Sequence, residues 1–258
     1  MNIFRLAGDM THLLSIIVLL LKIHTIKSCA GISLKTQELY ALVFVTRYLD
    51  IFTSYISFYN TIMKLIFLGS AFSIVWYMRF HKVVKQTYDK HQDTFRHYYL
   101  ALGCLALALV INHKFTVREK LSLETKANNH RYKVYLASGA ELETWNVKVP
   151  KLPVLVQGHT ELVLWTFSIY LEAVAILPQL VLLQRTKNVD NLTGNYVFLL
   201  GAYRGLYLLN WIVRYFTEKH YRQWITWISG IVQTALYADF FYYYVISWKN
   251  NQRLQLPA

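Results

Sequence analysis

The chain has 258 residues, of which 55% are hydrophobic and 16% aromatic. That composition argues against one or two soluble domains and for a membrane protein. The formal charge of +13 would suit a nucleic-acid partner, but the lysines and arginines lie mostly between apolar stretches, where membrane orientation accounts for them.

Seven apolar stretches of near-spanning length follow one another, each bounded by charged or turn-forming residues. The first four cover residues 6–24, 38–58, 62–78 and 98–112, and the last three 162–183, 196–216 and 224–248. Residues 13–21 also resemble a signal-peptide core, with Ser28-Cys29-Ala30 as a cleavage site. Against that reading, Asp9 and His12 interrupt the upstream half, and Lys22 and His24 stand before the supposed cut.

Lys27 and Lys35, then Arg79, Lys82, Lys85, Lys90 and Arg96, then Arg185 and Lys187, and finally Lys249 and Arg253 fall on one side of this topology. The positive-inside rule makes that side cytosolic and the N-terminus lumenal. Cys29 is then at a cytosolic span end and Cys104 inside the membrane, which argues against a disulfide between them. The sequon Asn191-Leu192-Thr193 falls on the cytosolic side and is expected to be unmodified.

The segment from Ser33 to Arg47 aligns without gaps on Asp190 to Arg204, with Thr36 over Thr193 and Leu42 over Leu199. This suggests a duplicated three-helix unit joined through the fourth span, as in the parallel-repeat folds of small transporters. Residues 117–160 break the pattern, being rich in Lys, Arg, Glu and Asn, with Pro150 and Pro153 and no apolar run of spanning length. They read as a polar loop on the lumenal side.

Ionisable groups inside a bilayer are costly, so each marks a functional site by default. Here they are Arg5, His12, Arg47, Asp50, Glu172, Arg204, Arg214 and Asp239. Internal ion pairing that holds helices together is the plainer alternative. The excess of arginine favours a binding site: unpaired Arg5, Arg47 and Arg214 imply an anionic ligand, and the planar guanidinium suits carboxylates. Tyr48, Trp165, Tyr207, Asn210 and Trp211 lie near enough in sequence to add hydroxyl, indole and amide contacts. Within this set, His12 is the group whose ordinary pKa lies between neutral and mildly acidic pH.

Several strings resemble the KDEL receptors. They include Met1-Asn2-Ile3-Phe4-Arg5, Ser28-Cys29-Ala30-Gly31-Ile32-Ser33, Thr46-Arg47-Tyr48-Leu49-Asp50 and Asp93-Thr94-Phe95-Arg96. Trp165-Thr166-Phe167-Ser168-Ile169-Tyr170-Leu171-Glu172, Leu177-Pro178-Gln179-Leu180, Leu206-Tyr207-Leu208-Leu209-Asn210-Trp211 and Leu256-Pro257-Ala258 continue the likeness. It covers nearly the whole chain apart from 117–160, and its wording is similar to the plant branch.

The resemblance implies an all-α integral membrane fold of seven transmembrane helices, two three-helix repeats joined by a fourth helix, similar to the PQ-loop and SWEET transporters. It implies a receptor rather than an enzyme, with no cofactor and no metal. The ligand would be the C-terminal Lys-Asp-Glu-Leu or His-Asp-Glu-Leu of a lumenal protein, captured in the acidic Golgi and released in the endoplasmic reticulum. By position, Arg47 with Tyr48 would hold the terminal carboxylate, Arg5 the ligand glutamate and Arg214 the ligand aspartate. Asp50 and Trp165 would stand near its basic residue, and Trp211 would wall the pocket. Glu172 and Tyr203 would form a carboxylate–tyrosine lock beside His12. Lys249 and Arg253, in the cytosolic tail 249–258, would meet the coatomer coat.

The chain departs from the family in two places. The family has a short turn where residues 117–160 stand, and its acidic residue three positions before the tryptophan is here Leu162, with Glu161 shifted by one. On a helix that shift turns a carboxylate by about 100°. The extra segment reads as a tolerated loop, a lid, or retained intron sequence that makes an inactive variant, the last fitting best because both flanks match the family. A SWEET-like solute transporter is the alternative function, but such a path would be lined for a neutral sugar, and three arginines argue against it.

Overall fold

In the computed structural model, residues 2–51, 57–112, 151–187, 189–218 and 224–256 are described, with backbone alone for 151–161. Their regular elements are α1 (Ile3–Thr25), α2 (Leu34–Arg47), a 3-10 turn (Leu49–Ile51), α3 (Phe58–Phe80), α4 (Lys82–Gln86), α5 (His97–Val110), α6 (Lys151–Val174), α7 (Leu177–Thr186), α8 (Asn191–Thr217) and α9 (Trp224–Lys249). Four stretches, Ile3–Thr25, Phe58–Phe80, Leu162–Thr186 and Asn191–Thr217, are long and apolar enough to cross a membrane.

Polarity is arranged inside out, which is why these helices need lipid. On α1, Met10, Leu14, Ile17 and Leu21 are exposed, while Asp9, His12, Ser15 and Lys22 are buried. The exposed set follows the spacing of one helical face. On α5, Leu102, Leu105, Leu109 and Val110 are likewise exposed. A water-facing stripe of this kind would forfeit the hydrophobic gain of folding, whereas against acyl chains it costs nothing.

Helix starts follow local chemistry. Phe4 N–H donates to the Asn2 side chain at 3.2 Å, Thr36 N–H to Ser33 Oγ at 3.3 Å and Asn60 N–H to Ser57 Oγ at 3.2 Å. Each cap satisfies a donor that the first turn leaves open. α1 packs most extensively on α8, α2 lies against α3 and α6, α5 against α6, and α9 against α8 and α6.

Three expectations from sequence need adjustment. The second stretch, expected over 38–58, is a helix only to Arg47 and then a 3-10 turn; residues 52–56 lie outside the described residues. The fifth stretch, expected over 162–183, falls within the one span-length stretch Leu162–Thr186 but is broken inside it into two helices, because Pro178 lacks an N–H and its ring clashes with the preceding turn. The loop read over 117–160 ends ten residues early, since α6 begins at Lys151. Pro153 is compatible with that start, as first-turn N–H groups have no intrahelical acceptor to lose. Residues 113–150 are outside the described residues.

The break before α7 frees polar groups at one end of the bundle, and Gln179 uses them. Ser33 N–H donates to Gln179 Oε1 at 2.8 Å, Gln179 Nε2 donates to the Gly31 carbonyl at 2.7 Å, and Gln179 N–H donates to Thr36 Oγ1 at 2.9 Å. In the register that aligns Thr36 with Thr193, Lys22 stands over Gln179. Lys22 makes the matching contacts, donating to the Ala30 carbonyl at 2.7 Å and to Thr193 Oγ1, with Asp190 3.4 Å away. Beside them the Cys29 thiol is fully buried and donates to the Val84 carbonyl at 3.1 Å, and burial raises its pKa. The tail closes the same end. Val189 N–H donates to the Leu254 carbonyl at 3.1 Å and Leu256 N–H to the Lys187 carbonyl at 3.4 Å, with both leucines buried.

Candidate functional site

A cavity of about 410 Å³ lies at the opposite end of the bundle. Six helices line it, and each presents one stripe at helical spacing. α1 contributes Arg5, Asp9 and His12; α6 contributes Trp165, Ile169 and Glu172; α9 contributes Thr226, Gly230 and Gln233. α8 supplies Arg204, Tyr207, Trp211 and Arg214, α2 supplies Phe44 and Arg47 with Tyr48 just beyond, and α3 supplies Tyr59, Met63 and Lys64. Residues far apart in sequence therefore meet because their helices share one buried seam.

The charge on this wall is unbalanced. Arg5, Arg47, Lys64, Arg204 and Arg214 line the cavity against Asp9 and Glu172. Two of the cations have partners set back from the cavity: Lys64 meets Asp50 at 2.8 Å and Arg214 meets Glu218 at 2.8 Å. The second pair is bidentate, and Arg214 holds the Glu218 carboxyl below its usual range. The wall itself thus carries surplus positive charge, which a low-dielectric site makes effective at short range.

At the deep end Glu172 joins three helices. One of its oxygens pairs with Arg47, the other with Arg204, and Tyr203 donates its hydroxyl to the latter oxygen at 3.1 Å. Arg47 also donates through Nε to Ser168 Oγ at 3.1 Å. The His12 imidazole lies flat on the Tyr203 ring, with centroids 4.2 Å apart and planes 9° from parallel, and stacks on Phe67 at 4.6 Å. Nearer the surface Asp9 accepts from Tyr59 at 3.0 Å and from Tyr207.

Of the residues expected from sequence, Arg5, His12, Arg47, Tyr48, Trp165, Glu172, Tyr203, Tyr207, Trp211 and Arg214 all line the cavity. Asp50 and Asn210 do not. Asp50 stands behind Lys64, and Asn210 is buried at 2% exposure beside the cavity-facing stripe of α8. The expectation of unpaired arginines is corrected for two of them: Arg47 is paired with Glu172 and Arg214 with Glu218. An anion entering here must compete with, or share, those carboxylates.

Sequence reasoning gave no role to Asp9, Tyr59, Lys64 or Gln233 and marked Arg204 only as an ionisable group inside the bilayer, and all five line the cavity. Two signals pointed that way. Asp9 lies midway between Arg5 and His12 at helical spacing, and Arg204 is the residue that aligns with Arg47 in the two gap-free segments. Lys249 and Arg253 are exposed at the other end, flanking the start of the tail.

A family model described as ER lumen protein retaining receptor matches residues 28–126 and 151–214. The chain is 65% identical over 258 residues to an ER lumen protein-retaining receptor of Petunia hybrida and 64% identical to ER lumen protein-retaining receptor B of Arabidopsis thaliana, covering all of each chain. It is 46% identical to the ER lumen protein-retaining receptor of Drosophila melanogaster, again over the whole of both chains, so the reading of 117–160 as an added segment or retained intron is corrected: these receptors match the chain end to end over 258 residues.

Proposed function

The chain belongs to the ER lumen protein retaining receptor family, and from that premise we propose that it binds the C-terminal retrieval signal of lumenal proteins and returns them to the endoplasmic reticulum. It is a multi-pass membrane protein of the secretory pathway. The observation that carries the ligand assignment is the charge on the cavity wall, where five permanent cations face two carboxylates. A peptide ending Asp-Glu-Leu brings three carboxylates, two on side chains and one at the chain terminus, which add to the wall's own two and compete with Asp50 and Glu218 for Lys64 and Arg214.

The extended tail enters with its terminus leading. Arg47 and Tyr48 hold the terminal carboxylate at the deep end, Arg5 holds the glutamate, and Arg214 exchanges Glu218 for the ligand aspartate. Trp165 and Asp50 sit toward the first residue of the signal, and Trp211 walls the site. Charge-assisted bonds of this kind are strongest where water is excluded.

Acid dependence follows from linkage. An anionic peptide bound beside His12 favours the imidazolium, so by reciprocity a proton on His12 favours the peptide. Glu172 and Tyr203 transmit that change, since one touches both Arg47 and Arg204 and the other is stacked on His12. Affinity is high in the acidic Golgi and low at neutral pH. The N-terminus is lumenal, the seven helices form two repeats about the fourth, and the basic tail around Lys249 and Arg253 meets the coatomer coat for the return journey.

The test is binding of a peptide ending His-Asp-Glu-Leu to the purified full chain at about pH 5.5 and 7.2, with a scrambled tail as control. Tight binding at the lower pH, lost at the higher, is the expected result. Equal binding of the scrambled tail would sink the assignment.

A further inference from the structure

Gln233 is 1% exposed, lies on the stripe of α9 that lines the cavity, and its Nε2 has no hydrogen-bond partner among the described residues. A buried amide N–H without an acceptor is costly and persists where something outside the chain completes it.

The register of α9 against α8 fixes its neighbours. A Cβ on Gly201 would meet Phe241 and Tyr237, and one on Gly230 would meet Trp211 and Leu208. The two helices are thus antiparallel, and interpolation between these contacts sets Gln233 opposite Tyr207, within one turn of Arg204. Two further donors at this depth lack hydrogen-bond partners among the described residues, Arg47 Nη2 and Arg204 Nε. Both belong to side chains already held in place by Glu172.

Near the deep end of the cavity, three nitrogen donors from α2, α8 and α9, on residues that all line it, are thus left without hydrogen-bond partners among the described residues. A carboxylate has two oxygens and about four lone-pair sites, and it has no hydrogen that would oppose a donor. We propose that Gln233 is a specificity-determining contact, its amide donating to the terminal carboxylate of the bound peptide beside Arg47 and Arg204. Being neutral, it adds a bond without adding a further charge that needs a counter-ion. It also disfavours a C-terminal amide, whose NH2 would face the Gln233 NH2. This inference rests on the reading of the cavity as a peptide site.

The experiment compares two peptides ending His-Asp-Glu-Leu, one a free acid and one a C-terminal amide, on purified full-length wild type and Gln233→Leu at acid pH. The expected result is a loss of about tenfold for the free acid with the amide little changed, so that the acid-over-amide preference narrows. An equal loss for both peptides, or none for either, overturns the role given to Gln233. Should Gln233→Leu bind neither peptide, Gln233→Glu decides, because it keeps the size and replaces the donor with an acceptor. A selective loss of the free acid by that variant supports the proposal, and parallel losses reject it. Failure of the wild type to bind either peptide overturns the peptide assignment of the cavity itself, and is told apart by needing no variant.

Discussion

Arg47 and Arg204, which hold matching positions in the two aligned segments, meet on opposite oxygens of one carboxylate, Glu172. Two cations this close repel unless an anion stands between them. Glu172→Gln removes that anion and leaves both guanidinium groups in a buried seam. The expected cost is at the low end of the roughly 3 to 5 kcal/mol seen when a buried ion pair loses one partner, because the Arg47 side chain retains 21% exposure. Unfolding of the purified variant measures it, and added peptide with a free terminus should recover part of the loss. An unchanged unfolding midpoint would show that the arginines hold their positions without Glu172.

Arg214 is held by Glu218 through two bonds of 2.8 Å, so this carboxylate competes with any ligand aspartate. Glu218→Gln should strengthen peptide binding, by roughly two- to fivefold for an exposed pair. The pH dependence has a definite sign. The folded-state pKa of Glu218 is lowered by Arg214, so the pair is formed above the ordinary carboxylate value and is lost only as pH falls through the lowered one. Both pH 5.5 and 7.2 lie above that range, and the gain should be equal at the two. A gain confined to one pH would mean that Glu218 acts through another titrating group.

Gly230 meets Trp211 so closely that an added Cβ would lie 2.4 Å from the indole ring. Gly230→Ala must therefore push the ring into the cavity or away from α9. Overpacking of this kind costs about 1 to 3 kcal/mol, and the displaced wall should weaken peptide binding as well. Thermal unfolding together with the binding assay checks both, and a variant with wild-type behaviour in each would show that Trp211 moves freely.

Gln179 makes three hydrogen bonds at the end away from the cavity, to Ser33, Gly31 and Thr36. Gln179→Leu keeps the volume but strands the Ser33 N–H and the Gly31 carbonyl. At about 1 to 3 kcal/mol for each of two stranded groups, the expected destabilisation is about 2 to 6 kcal/mol, with acid-dependent peptide binding retained in the molecules that fold. Loss of binding without loss of stability would place Gln179 in the conformational cycle and not in the scaffold.

The membrane class, the helical periods, the cationic character of the site and most of its charged lining, though not its aromatic and apolar remainder, were legible in the order of residues. Each rests on local chemistry: apolar runs long enough for lipid, and arginines too costly there without a purpose. The pairing of those charges was not legible. Arg47 with Glu172, Arg214 with Glu218 and Lys64 with Asp50 depend on which stripe of each helix turns inward, and that is settled by packing among six helices at once. The part played by Gln233 was hidden for the same reason, since a glutamine in an apolar run shows nothing until a cavity forms beside it. Sequence thus determined what kinds of group the bilayer would force inward, and only the tertiary structure decided which of them meet.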